Sequence, residues 1–245
     1  FDYGATNPRD SLASQLGYVG RLKVGLDWLL RKQGLGISNH FEVGAFLCLL
    51  EDEAVPDVQL ECIAMRGDFA PKGISLEPGY QCFASLQRPT SRDKLWIDGA
   101  DPALAPKFRF NYLSTDSDKQ VAIDAVKATR ELFHQSAWQG RLSQELSGVN
   151  GLESDKDIMK WVYAHVESNY HPCGTCSMGL DDKAVTDEEG RVHGINKLRV
   201  VDASIIPSIP AGNLNAVTIM LAEKIADSIL GLSPLAPEYP AVARC

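Results

Sequence analysis

The sequence predicts an α+β fold, an antiparallel sheet with flanking helices, and three observations carry that expectation. Segments that alternate with a period of two cluster between residues 57 and 98. Segments of helical period precede and follow them. The regular strand–helix–strand alternation of a parallel sheet is missing.

Taken in order, Val19, Leu22, Leu26, Leu29 and Leu30 recur near helical spacing, so a helix is expected over 17–33, ended by Gly34-x-Gly36. Residues 38–46 are mixed in polarity and read as a loop entering a strand. Over 57–65, Val58, Leu60, Cys62 and Ala64 fall on one face and Gln59 and Glu61 on the other, the pattern of a half-buried strand. Two further strands are expected over 79–87 and 94–98, separated by the turn Arg88-Pro89-Thr90-Ser91-Arg92-Asp93. Val121, Ile123, Ala125, Val126, Leu132 and Phe133 mark an amphipathic helix over 117–135. A second runs from Asp155 to His165 behind a Ser154 cap. An apolar helix follows at about 216–230, and the Pro-rich stretch 233–240 reads as extended and peripheral.

Composition narrows the function classes. At 245 residues, 44% hydrophobic and 23% charged, the chain has an ordinary globular balance and enough length for a substantial core. A formal net charge of −8 argues against a nucleic-acid partner, because no basic stripe is present to neutralise phosphates. The apolar run 219–230 is interrupted by Glu223, Lys224 and Asp227, so no membrane span is expected; peripheral attachment stays open. Six cysteines lack a disulfide-framework spacing, which favours a reduced compartment. Cys173-x-x-Cys176 stands without a second such pair or a His pair at zinc spacing, and no metal is expected. The opening Phe1-Asp2-Tyr3-Gly4 has neither Met nor a secretory pattern, so the true N-terminus is expected elsewhere.

The chemistry concentrates late in the chain. Tyr170-His171-Pro172-Cys173-Gly174-Thr175-Cys176 sets an imidazole on a turn whose backbone Pro and Gly restrict. Val200-Val201-Asp202-Ala203-Ser204 and Gly212-Asn213-Leu214-Asn215-Ala216 follow, the latter opening the last helix. An imidazole beside an amide, under a helix N-terminus, suits removal of a proton from an alcohol while negative charge develops nearby. The competing His193, in Gly190-Arg191-Val192-His193-Gly194, reads as structural. Gly212-Asn213 is also good turn chemistry, and Asp202 also suits capping its own loop.

This ordered series closely resembles the C-terminal part of the glucose-methanol-choline (GMC) oxidoreductases, flavin-dependent alcohol dehydrogenases and oxidases, and most of all the choline dehydrogenases. The resemblance covers nearly the whole chain and implies FAD as cofactor. It implies a substrate-binding domain over 1–160, a segment 161–235 returning to complete the FAD-binding domain, and a tail 236–245. The family's Gly-rich dinucleotide fingerprint is absent, so the chain reads as the second half of an enzyme, needing a preceding segment or a companion chain.

By the same resemblance His171 acts on the substrate hydroxyl, and Asn213 fills a position where the family carries His or Asn. Asp202 and Ala203 reach the ribityl-phosphate chain, while Asn215, Ala216 and Val217 meet the flavin N1–C2=O edge. Glu42 and Tyr170 contact substrate, with Glu42 facing a trimethylammonium; a loop salt bridge is the alternative for Glu42. Arg88 pairs across the sheet or holds a carboxylate, as in related photodecarboxylases. Asp93 departs from the Gly usual after Ser-Arg. Three other readings stand beside choline oxidation: a noncatalytic subunit, an oxidoreductase of broader alcohols, and a flavin lyase, against which Asn213 counts because lyases carry His there.

Overall fold

A computed structural model of the chain describes residues 1–41, 43–50, 55–70, 73–233 and 235–239. Its strands are β1 (Asp2–Ala5), β2 (Val43–Leu47), β3 (Val58–Ile63), β4 (Arg66–Ala70), β5 (Gly73–Glu77), β6 (Gly79–Leu86), β7 (Lys94–Trp96), β8 (Lys107–Arg109) and β9 (Leu142–Glu145). Its α-helices are α1 (Tyr18–Arg31), α2 (Asp116–Phe133), α3 (Asp155–His165) and α4 (Leu214–Leu230). The chain divides into two compact units, each made of three segments: 1–51, 58–86 and 119–165 in the first, 52–57, 87–118 and 166–245 in the second.

The first unit is the expected α+β body. A five-stranded sheet runs in the order β2-β3-β6-β1-β9, with every pairing antiparallel. One departure from the alternation falls in β3. Gln59, assigned by alternation to the polar face, is buried along with Val58 and Leu60, and its amide donates to Glu61 at 2.9 Å.

Val121, Ala125 and Phe133 of α2 join Tyr3, Val58, Leu60, Tyr80 and Cys82 in one core cluster. Phe133 stacks on Tyr3 with centroids 4.3 Å apart. Burial, reinforced by the Glu145 carboxylate, pushes the Tyr3 phenol up to about 12, so it stays neutral. The helix α3 starts as predicted: Ser154 Oγ accepts from Asp157 N–H at 3.1 Å and donates to the Asp157 carboxylate at 2.6 Å, satisfying a first-turn donor. The helix α1 ends one step earlier than its glycines suggest. Lys32 itself takes the left-handed cap at φ 53°, its N–H donating to Trp28 O, and Gly34 follows at φ 81°.

The second unit holds the β7–β8 hairpin and α4. Irregular bridges tie Met178 to Thr186, Thr186 to Val192, and Arg191 to Arg199. Thr186, Ile205 and Ile225 are fully buried there. The last helix stops at Gly231, φ 68°, whose N–H returns to Asp227 and Ser228 carbonyls, with Leu232 N–H also donating to Asp227 O.

The turn 88–93 is fixed by a carboxylate that pattern reasoning passed over. Asp118, buried at the start of α2, accepts from Thr90 N–H (2.8 Å), Thr90 Oγ1 (2.9 Å) and Ser91 N–H (2.8 Å). Burial pushes its pKa up, but the hydrogen bonds from Ser91 and Thr90 outweigh it and hold the carboxyl below its ordinary value. A depressed folded pKa gives stability that is complete above the unfolded range, about 4, and is lost as pH falls through the folded value. Asp118→Asn is therefore expected to melt lower than the parent at neutral pH. That gap should narrow as the pH is taken below about 4, which melting curves across an acid series would check.

Among the described residues no helix is long and apolar enough to cross a membrane. Cys62, Cys82, Cys173 and Cys176 are free thiols. Cys48 is disulfide-bonded, although the six cysteines show no disulfide-framework spacing.

Candidate active site

His171 and Asn213, 42 residues apart in sequence, meet in the second unit: Asn213 Nδ2 lies 3.0 Å from His171 Nε2. Three local features bring the imidazole there. Tyr170, just before it, has φ 58°, with its N–H held by Ser168 Oγ at 3.0 Å. An aromatic residue in the left-handed region is costly and reverses the chain sharply at that point. Pro172 restricts the next step. Gly174, φ 88°, lies so close to the Ile206 carbonyl that an added Cβ would come within 3.4 Å of it. Beyond it Cys176 N–H donates to Ser204 O (2.9 Å) and Met178 N–H to Ile205 O (2.8 Å), fastening the His171 turn to the 203–205 turn.

Asn213 is the N-cap residue of α4, yet its side chain makes no capping bond to that helix. Asn is among the best N-cap residues, so its engagement with His171 is a diversion from the local bond that usually stabilises such a position. An amide nitrogen only donates, so in this orientation His171 Nε2 stands as the acceptor. A half-turn of the amide presents Oδ1 instead, which accepts from a ring N–H. The same pair thus hydrogen-bonds with either ring tautomer.

The first-turn N–H groups of α4 lack a side-chain acceptor at the N-cap, and Asn215 and Ala216 are exposed there. Orphan donors at the positive end of a long helix fit an anionic or electron-rich edge. A flavin N1–C2=O edge meets that description. Val217 is half-buried beside them.

The other expected residues sort plainly. Asp202 is exposed and caps its own turn, accepting from Ser204 N–H at 2.8 Å; hydrogen bonds from the Ser204 side chain and backbone hold its carboxyl below the ordinary value. Ala203 begins that turn. Tyr170 is 83% exposed. Glu42 lies outside the described residues. His193 fits its structural reading, with Nε2 3.1 Å from Gly179 O and its N–H donating to Val185 O. Arg88 Nη2 donates to Val55 O at 3.4 Å. Asp93 Oδ1 accepts from Asn111 N–H at 2.8 Å, which gives this turn a link a glycine would not provide.

Burial pushes the Cys173 thiol up, more than the Arg92 charge pulls it down. It therefore remains a thiol at neutral pH and is a poor nucleophile. Sequence reasoning passed over Thr186, whose Oγ1 donates to Cys176 O at 3.2 Å under the His171 turn. A lone threonine in a polar stretch carries no pattern that would have marked it.

An imidazole and an amide held on two turns, beside an open helix N-terminus, suit the handling of a hydroxyl proton. Residues 89–222 match the family model for GMC oxidoreductase, and the chain belongs to that family. It is 42% identical over 226 residues to an oxygen-dependent choline dehydrogenase of Citrobacter koseri, an alignment covering 92% of this chain and 40% of that protein. The corresponding protein of Chromohalobacter salexigens is 41% identical over 225 residues, with the same coverage. The chain thus spans about 40% of the length of these curated relatives. Among solved structures, pyridoxine 4-oxidase from Mesorbium loti superposes with a TM-score of 0.68 at 27% identity, covering 80% of this chain and 39% of that one. Aspergillus oryzae RIB40 formate oxidase gives a TM-score of 0.82 at 24% identity over 94% of this chain and 45% of its own, a likeness of fold.

Proposed function

We propose that this chain supplies the substrate side and the His–Asn pair of an FAD-dependent enzyme that oxidises an alcohol to an aldehyde, with choline as the substrate. The observation that carries the reading is the 3.0 Å approach of Asn213 to His171 beside the N-terminus of α4. The 42% identity to proteins named choline dehydrogenases supports the substrate class.

In this reading His171 Nε2 takes the hydroxyl proton as a general base. Asn213 holds the substrate oxygen and turns its amide oxygen toward the protonated ring. FAD held there would supply the acceptor for the hydride of the alcohol carbon. The first-turn N–H groups of Asn215, Ala216 and Val217 would favour negative charge at the cofactor edge, and Asp202 and Ala203 would hold its ribityl-phosphate chain. Glu42 and Tyr170 are assigned to the cationic headgroup. Residues 1–160 then act as the substrate-binding domain, 161–235 as the segment that completes the FAD-binding domain, and 236–245 as a tail. The Gly-rich dinucleotide fingerprint belongs to a companion segment or chain.

The test is a visible spectrum of the purified protein, with any co-purifying chain identified by mass spectrometry, followed by anaerobic addition of choline. Bleaching of the flavin bands is the expected result. Bands that persist with choline but bleach with an uncharged alcohol would overturn the substrate assignment. Flavin bands that no alcohol bleaches would overturn alcohol oxidation itself.

A further inference from the structure

We propose that Cys62 and Cys82 are a reversible disulfide-forming site that clips β3 to β6 when the protein meets a low-molecular-weight disulfide. The two residues are direct register partners on adjacent antiparallel strands. Cys82 N–H donates to Phe1 O at 2.9 Å, and Cys82 O accepts from the Phe1 nitrogen at 2.8 Å. Both main-chain groups of Cys82 thus turn toward the β1 side and away from β3. Facing β3, Cys62 and Cys82 are therefore a non-hydrogen-bonded cross-strand pair. Such pairs bring their Cα atoms to about 4.5 Å, inside the roughly 4.4–6.8 Å window that a disulfide requires. The sulfurs stand 3.0 Å apart and share an S–H···S hydrogen bond. Both are free thiols.

The pair is asymmetric in a way that orders the chemistry. Cys82 is fully buried in the core cluster, whereas Cys62 is half-buried at its margin. The hydrogen bond with Cys82 lowers the Cys62 thiol against the opposing effect of burial. The same bond, together with burial, raises Cys82. Cys62 is thus both the more accessible sulfur and the one that ionises first.

The Cys62 thiolate attacks one sulfur of the small disulfide, breaking its S–S bond and releasing one thiolate. Cys82 then gives up its proton, and its sulfur attacks Cys62 Sγ, breaking the mixed disulfide and releasing the second thiolate. Two protein thiols are oxidised to one disulfide, and one small disulfide is reduced to two thiols. The product closes a 20-residue separation that contains the β4–β5 hairpin. Neither cysteine belongs to the His171–Asn213 pair, so the proposal stands apart from the oxidoreductase reading.

The experiment incubates the reduced protein with oxidised glutathione, quenches with acid, alkylates under denaturing conditions and maps peptides by mass spectrometry. The expected result is a Cys62–Cys82 linked peptide in the parent and glutathione trapped on Cys62 in Cys82→Ser. The oxidised parent should melt higher by roughly 5 °C, a shift that dithiothreitol reverses. Full alkylation of both cysteines in the parent would overturn the proposal, as would glutathione lodged on Cys62 there without onward linkage. Because the parent arm decides the linkage by itself, a variant that fails to fold leaves the test intact.

Discussion

In the flavin-loaded enzyme, His171→Ala is expected to lower kcat by about 10²–10⁴-fold, the range a positioned general base contributes. The 3.0 Å contact with Asn213 makes a further, opposite expectation for stability. Removing the imidazole lets the Asn213 side chain turn to the first-turn N–H groups of α4, an N-cap bond worth about 1 kcal/mol. The variant should therefore lose turnover without losing melting temperature. Steady-state kinetics and a thermal melt on the same preparation would check both halves. A kcat within about threefold of the parent would remove His171 from the catalytic assignment. A large drop in melting temperature would show that the histidine is a packing residue.

Gly190→Ala is the substitution expected to cost most in stability. Gly190 is buried with φ 71°, and a Cβ there would stand 2.5 Å from Val200 O and 3.4 Å from Ile225 Cδ1. Val200 N–H donates to Gly190 O at 2.8 Å, so the two backbones cannot separate without breaking a bond. Left-handed strain of about 1–2 kcal/mol adds to an overpacking cost of about 1–3 kcal/mol. A melting temperature lower by roughly 5–15 °C follows for a chain of this size. Gly194→Ala is the internal control: its φ is 76°, but nothing lies within 4 Å of the added Cβ. It should show the conformational cost alone. Equal losses in the two variants would mean that the close approach to Val200 contributes nothing.

Much of this architecture was legible in the residues because it rests on local periodicity. The α3 helix and its Ser154 cap follow from spacing and capping chemistry, and β3 and β6 from alternation between turn signals. The short strands β1 and β9 were not legible. Each has four residues, and what makes them strands is a partner far away in sequence: Tyr3 opposite Glu145, Ala5 opposite Leu142. Gln59 was misplaced because alternation assigns an amide to solvent, whereas this one is buried and bonded to the Glu61 carboxylate. Gly34 was a reasonable stop signal for α1, but Lys32 reached the left-handed region first, helped by its ammonium lying 4.2 Å from the centroid of the Trp28 ring. The nearness of His171 and Asn213 was implied by family resemblance; their spacing alone did not dictate it. Asp118 was hidden because an acid in the first turn of a helix ordinarily needs no further partner.

The position of β1 between β6 and β9 carries a consequence for how the chain is made. During synthesis β1 is made roughly 140 residues before its β9 neighbour. At about 5–20 residues per second that is a wait on the order of ten seconds. Throughout it the β1 edge of a half-built sheet stands open to other nascent chains. Crowding on the ribosome, more than any weakness of the finished fold, is then where yield would be lost. Slowing initiation, which spaces the nascent chains apart, should raise the soluble fraction.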